Sequence, residues 1–182
     1  SGPVISVSAR KRPLFWIGAD VRIDDMAVVP DLAIICAALD KVPSIVEQLG
    51  ARGTRAVIVG PWLWHRMSSS QILAARKAIL EAARPYLMRV LGPGSGGIVV
   101  PARGLNASAA PVSITPGKIA LVSQSTAVTA AILDRASSKG IGFSSVLHLG
   151  ALIDIDLADA LDWLAADPDS NSIFVLFDSL PP

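Results

Sequence analysis

The chain has 182 residues, of which 52% are hydrophobic and 17% charged, with a formal charge of +1. That length and apolar content suit one large domain or two small ones with a real core, and they exclude a disordered chain. A near-neutral charge with no basic stripe between aromatics gives nucleic acid no footing, and the longest apolar stretch, 26–39, is cut by Pro30 and Asp31 and is too short to span a bilayer.

The chain opens Ser1-Gly2-Pro3 with no initiator methionine and leads almost at once into V-I-S-V (4–7), a strand pattern. With Pro181-Pro182 closing it directly after another strand, it reads as a piece of a longer protein. The next strand pattern, L-A-I-I-C (32–36), holds the one cysteine, Cys36. No internal disulfide is then available, and a buried, inert thiol in a reducing cytoplasm is expected. Pro43 to Leu49 reads as a short helix begun by proline and ended at Gly50 or Gly53. A-V-I-V (56–59) is the third strand pattern. Ser70 to Ala83 is a longer helix, with Ile72, Ala75, Ile79 and Ala82 on one face and Ser69 or Ser70 as its cap.

Residues 92–117 break the rhythm. They are rich in Gly, Pro and Ser, show no helical period and read as a connection. The boundary is placed near 112, giving units 1–111 and 112–182. I-A-L-V (119–122), S-V-L-H-L (145–149) and I-F-V-L-F (173–177) are further strands. Thr126 to Ser138, with Val128, Ile132 and Leu133 inward and Gly140 as its stop, and Leu157 to Ala165 are helices between them. Most strand runs are continuously apolar, the pattern of parallel strands buried on both faces. Strand and helix in alternation predict an α/β fold with parallel sheets and right-handed crossovers.

Ligands in such sheets bind beyond the carboxyl ends of the strands. Ser123-Gln124-Ser125-Thr126 stands at such an end and opens a helix. It is either a phosphate cradle, since free N–H groups and the helix dipole attract anions, or an ordinary hydroxyl cap. Trp62 and Trp64 flank another loop, where they face a ligand or pack on the next helix. His65 and His148 read as structural or solvated, and no partner for a catalytic role can be assigned to either. Asp154 and Asp156 look like paired carboxylates but suit the start of the next helix. No metal-ligand spacing is present, nor a G-x-S-x-G, Walker or complete dinucleotide motif.

V-P-D-L-A-I-I-C (29–36), V-P-S-I-V-E-Q-L-G-A-R-G-T-R-A-V-I-V (42–59) and R-V-L-G-P-G-S-G-G-I (89–98) resemble the CoA-binding domain of NDP-forming acyl-CoA synthetases. G-L-N-A-S-A-A-P (104–111), G-K-I-A-L-V-S-Q-S (117–125) and G-I-G-F-S-S-V-L-H-L-G-A-L-I-D-I-D (140–156) resemble the succinyl-CoA-synthetase-like flavodoxin domain that follows it. The wording of 104–108 and 123–125 points further, to the synthetase-like region of bacterial protein lysine acetyltransferases. The α subunit of an ADP-forming acetate–CoA ligase is the neighbouring reading.

The resemblance implies an incomplete Rossmann-like CoA-binding domain, without its first strand and glycine-rich turn, followed by a partial flavodoxin-like domain. It implies CoA or acetyl-CoA as ligand, and ATP or ADP only through domains absent from this chain. Carried over, the CoA contacts fall on Ser8, Arg10 and Lys11, on Ala37, Ala38 and Leu39, and on Gly60 and Pro61. The phosphate-facing helix start falls on Ser123, Ser125 and Thr126, and the carboxylate that orients a phosphohistidine on Asp178. Neither histidine matches the phosphohistidine, so no catalytic residue is expected and the piece alone should be inert. Acyl-CoA and the remaining domains of the parent protein are the expected partners. Several loop positions depart from the family pattern, among them Thr126 where the family has glycine. A degenerate regulatory or scaffolding module that has lost CoA binding is therefore the alternative.

Overall fold

A computed structural model describes residues 4, 5, 7, 22–60, 68–110 and 113–178. The strand expected at 4–7 lies only partly within these, with Val7 in an isolated bridge. β1 (Leu32–Ile35), β2 (Ala56–Val59) and β3 (Arg89–Leu91) form a parallel sheet in that order. Parallel neighbours need crossover connections, and α1 (Val42–Ala51) and α2 (Ser69–Ala83) lie between them in sequence. Pro43 opens α1, and Gly53 beyond its end has φ +102°, a conformation that favours glycine. The cap of α2 is Ser68, one residue before the expected pair: its hydroxyl accepts the Gln71 N–H while Gln71 Oε1 accepts the Ser68 N–H.

β2 buries both faces, as its unbroken apolar run requires. Val57 and Val59 join Val42, Val46, Ile79 and Val90 in a core beneath α1 and α2. Ile58, one residue out of phase, points the other way and packs with Leu91 of β3 and with Leu147, Leu149, Ala160 and Leu164 of the second unit. The two units therefore share a core.

The second sheet runs β5-β4-β7-β6-β8, with β4 (Gly97–Val100), β5 (Leu105–Ser108), β6 (Pro116–Ser123), β7 (Phe143–His148) and β8 (Ser172–Leu176). β6 pairs in parallel with β7 and β8, whereas β4 is antiparallel to both β5 and β7. α3 (Thr126–Ser138) packs Leu133 and Ala136 on Leu121, Val146 and Val99, while α4 (Leu157–Ala165) packs Ala160 and Leu164 with Ala120 and Val122. The α/β fold expected from the sequence is present, with one parallel sheet and one mixed sheet.

Three local expectations differ. Residues 92–117 hold the β4–β5 hairpin rather than a bare connection. Its apolar run, Ile98 to Val100, is short and flanked by the Gly and Pro residues that ordinarily mark loops. Gly97 starts β4 at φ +98°, where a side chain would collide with the Ala107 carbonyl. On α3 the buried face is Thr129, Leu133 and Ala136, and Val128 is exposed. Thr129 can be buried because its hydroxyl donates to the Ser125 carbonyl at 2.7 Å. Cys36 is exposed rather than buried. It stands two residues beyond Ile34, itself 52% exposed, so alternation sends both side chains away from the side that buries Ile35.

β3 is an edge strand, and its outer side is closed by the segment before α4 rather than by another strand. Asp154 Oδ2 accepts the Val90 N–H at 2.7 Å, and the Ile155 N–H donates to the Val90 carbonyl at 3.2 Å. Arg89 adds ion pairs to Asp154 at 3.1 Å and Asp159 at 2.9 Å. Asp156 caps α4 by accepting the Asp159 N–H, as its place in the sequence suggested, whereas Asp154 serves the β3 edge.

Candidate functional site

Two sets of strand ends carry the residues singled out from the sequence. In the first sheet, β1 and β2 end side by side, with the Gly60 N–H donating to the Ile35 carbonyl at 3.1 Å. Beyond them Ala37 is half-buried, Ala38 exposed and Gly60 buried. Leu39 turns into the core beneath α1. No side chain larger than methyl stands at 37, 38 or 60, so the backbone at these strand ends is little covered by its own side chains. Ser8, Arg10, Lys11 and Pro61 lie outside the described residues, as do Trp62, Trp64 and His65.

In the second sheet, the ends of β6, β7 and β8 bring together Ser123, Ser125, Thr126, Asp178 and His148. Ser125 is the N-cap of α3 and accepts the Val128 N–H at 3.4 Å. Ser123 is fully buried, and its hydroxyl is used within the loop, accepting the Ser125 N–H at 3.0 Å and donating to the Ser125 carbonyl at 3.3 Å. Asp178 is exposed, tied by its own N–H to Gln124 Oε1 at 3.2 Å. The Thr126 hydroxyl lies 2.9 Å from His148 Nε2.

His148, read from the sequence as structural or solvated, is structural, with partners that the sequence did not name. It is 3% exposed, at the end of β7, and its Nδ1 accepts the Gly96 N–H at 2.8 Å. An acceptor Nδ1 carries no proton, so in the neutral ring the proton sits on Nε2 and is donated to Thr126 Oγ1. Burial holds the ring's proton affinity below the ordinary histidine value, opposed by backbone hydrogen bonds and by the Asp178 carboxylate. The signal in the sequence was parity: with the Leu147 side chain on the α4 side of β7, His148 must face α3 and the residues that open it. A small, open cleft of about 40 Å³ lies here between β4, β5 and α3, walled by Gly96, Gly97, Ala109, Ala110, Thr129 and His148 among others. Among the described residues no group of three or more His, Cys, Asp or Glu could hold a metal ion. Nor is any helix among them long and apolar enough to cross a membrane.

Comparison with known proteins assigns both units. Residues 1–101 match the family model described as "CoA binding domain", and residues 116–181 match "Succinyl-CoA ligase like flavodoxin domain". The chain is 31% identical over 151 residues to the acetate–CoA ligase [ADP-forming] I subunit alpha of Pyrococcus furiosus, covering 82% of this chain and 32% of that protein. It is 28% identical over 180 residues to the acetate–CoA ligase [ADP-forming] of Methanocaldococcus jannaschii, covering 99% of this chain and 25% of the relative. Among solved structures, the apo form of the dinucleotide forming acetyl-coenzyme A synthetase 1 of Ca. Korarchaeum cryptofilum superposes with a TM-score of 0.83 at 25% identity, over 97% of this chain and 38% of its own. The chain thus spans about a third or less of the length of these curated relatives.

Proposed function

Because this chain belongs to the NDP-forming acyl-CoA synthetase α-subunit-like family, with a CoA-binding unit followed by a succinyl-CoA ligase-like flavodoxin unit, we propose that it is the CoA-binding, α-like region of an ADP-forming acetate–CoA ligase. The observation that carries this reading is the pair of domain matches in the order the ligases have them, together with ligase relatives over nearly the whole chain. An acetyltransferase parent has less support, since the relatives named above are ligases by name.

In this reading CoA lies across the ends of β1 and β2, against Ala37, Ala38, Gly60 and Pro61, with Leu39 anchoring the loop from the core. Ser8, Arg10 and Lys11 meet its phosphates, the lysine and arginine by charge-assisted hydrogen bonds. CoA supplies the thiol that accepts the acyl group, and this chain's residues bind and orient it. The start of α3, with Ser123, Ser125 and Thr126, faces the phosphoryl group through its N–H groups and dipole. Asp178 orients a phosphohistidine borne by another part of the parent protein. ATP or ADP is handled by other domains, which with acyl-CoA are the partners of this chain in a cytoplasmic enzyme. The chain alone binds without turning over.

A second reading, a regulatory or scaffolding module without CoA, draws support from the eroded phosphoryl-facing loop, where the hydroxyls of Ser123 and Thr126 are engaged inside the protein. Calorimetric titration of the full chain with CoA and with acetyl-CoA separates the two. Saturable binding is expected, and no heat at millimolar ligand would overturn the ligase reading and leave the scaffold.

A further inference from the structure

The turn from β3 to β4, residues 92–96, is the joint between the two sheets, and His148 holds it from the side. The Ser95 N–H donates to the Val59 carbonyl at the end of β2, 3.1 Å away, and the Ala151 N–H donates to the Pro93 carbonyl at 2.8 Å. The Ser95 hydroxyl donates to the His148 carbonyl and accepts the Gly97 N–H. The Gly96 N–H donates to His148 Nδ1, and the opposite ring nitrogen reaches Thr126 at the start of α3. One imidazole thus bridges the inter-sheet turn to the helix start, and it needs one nitrogen as acceptor and the other as donor.

We propose that His148 is a positioning residue that acts only as the neutral Nε2–H tautomer, locking the 92–96 turn against the start of α3 and releasing Gly96 when the ring gains a second proton. The balance is a single proton. Taken up at Nδ1, it converts the acceptor facing the Gly96 N–H into a donor, so two N–H groups oppose each other and that hydrogen bond is lost. The bond to Thr126 survives, because a hydroxyl oxygen still accepts from the cation's Nε2–H. The release is therefore local and directional: Gly96 comes free, while the helix start and the Pro93 and Ser95 anchors of the turn stay held.

The surroundings suit such a latch. Asp178 beyond β8 is the charged group whose field reaches the ring, and it favours the cation. The turn, β4, β5 and α3 present Gly96, Gly97, Ala109, Ala110 and Thr129 toward the same cleft, none of them titratable. Burial of the ring works against the cation. Protonation therefore has to be driven by acid, and Gly96, in contact with the ring, is where it is felt. Gly96 also has no room for a side chain without displacement, since a Cβ there would stand 3.1 Å from His148 Cγ.

The test is nuclear magnetic resonance on the full chain. Long-range nitrogen–proton spectra should show His148 with its proton on Nε2 at neutral pH. On acidification the Gly96 amide should lose its protection factor with the midpoint of the ring, while Leu121 and Val122 in the centre of β6 stay protected. In His148→Asn the side-chain oxygen still accepts near the Nδ1 position but does not titrate, and the Gly96 protection should no longer depend on pH. An Nδ1–H tautomer at neutral pH, or Gly96 protection lost only together with that of Leu121 and Val122, overturns the proposal. If His148→Asn does not fold, the titration of the native chain decides alone.

Discussion

Asp154→Ala removes the acceptor that closes the outer side of β3. The Val90 N–H then has no partner on a residue with no exposed surface, which costs about 1–3 kcal/mol. Loss of the ion pair to Arg89, itself about half exposed, adds less than about 1 kcal/mol in solvent-screened surroundings. The sum is roughly 1–4 kcal/mol, a fall in Tm of roughly 2–16 °C for a chain of this size. Arg89→Ala leaves the carboxylate on Val90 and forfeits only the screened pairs, so it should cost under about 1 kcal/mol. Asp154→Asn keeps an acceptor oxygen and should fall between the two. Urea unfolding followed by circular dichroism measures all three. If Arg89→Ala destabilises as much as Asp154→Ala, the stability lies in the charges and the edge-closing argument is wrong.

Other expectations follow from the same structure. Acidification should weaken the fold through His148. Its folded-state proton affinity is lowered, so the unfolded chain protonates first as pH drops below the usual 6.5. Its contribution is whole above that value and declines below it until the folded ring is protonated too; His148→Asn should show a flatter stability profile between pH 7 and 5. Gly97→Ala should cost at least about 2 kcal/mol, since the new methyl meets the Ala107 carbonyl at a backbone angle that disfavours side chains; unaltered denaturation midpoints would refute this. Ser68→Ala should lower stability by about 1 kcal/mol through loss of the α2 capping box, read by the same denaturation curves. Cys36 should react with a chromogenic disulfide under native conditions as fast as a free thiol; protection until unfolding would contradict its exposure.

The parallel core was legible because it rests on local signals. The runs 56–59 and 119–122 are unbroken and apolar, and each lies inside a strand. The helices 126–138 and 157–165 have the expected bounds, because a hydroxyl or carboxylate cap stands directly before each. The β4–β5 hairpin was not legible. Glycines at 97 and 104 that shape the hairpin look the same in sequence as glycines that interrupt structure. At the candidate site, the strand-end rule pointed to 123–126 and the family resemblance to Asp178. The partners of His148, Gly96 and Thr126, escaped because they come from far along the chain, and only the closed sheet sets them on either side of one ring. The same holds for Asp154, whose neighbours in sequence suggest a helix cap and whose acceptor role is set by an edge strand in the other unit.

The closing of β3 by Asp154 and Ile155 also bears on the order in which the chain can be made safe. Synthesis delivers β1, β2 and β3 first, and the parallel sheet can form before the second unit exists. Its β3 edge then waits, with the Val90 N–H and carbonyl unpaired, until residues 154 and 155 emerge beyond β7. During that interval the edge is a template for any other strand, including that of a neighbouring nascent chain. Once in place, a carboxylate is a terminal partner: it accepts the Val90 N–H and the Arg89 side chain and offers no ladder to extend. The feature that joins the two units in the finished protein is thus also what ends its exposure to misassembly.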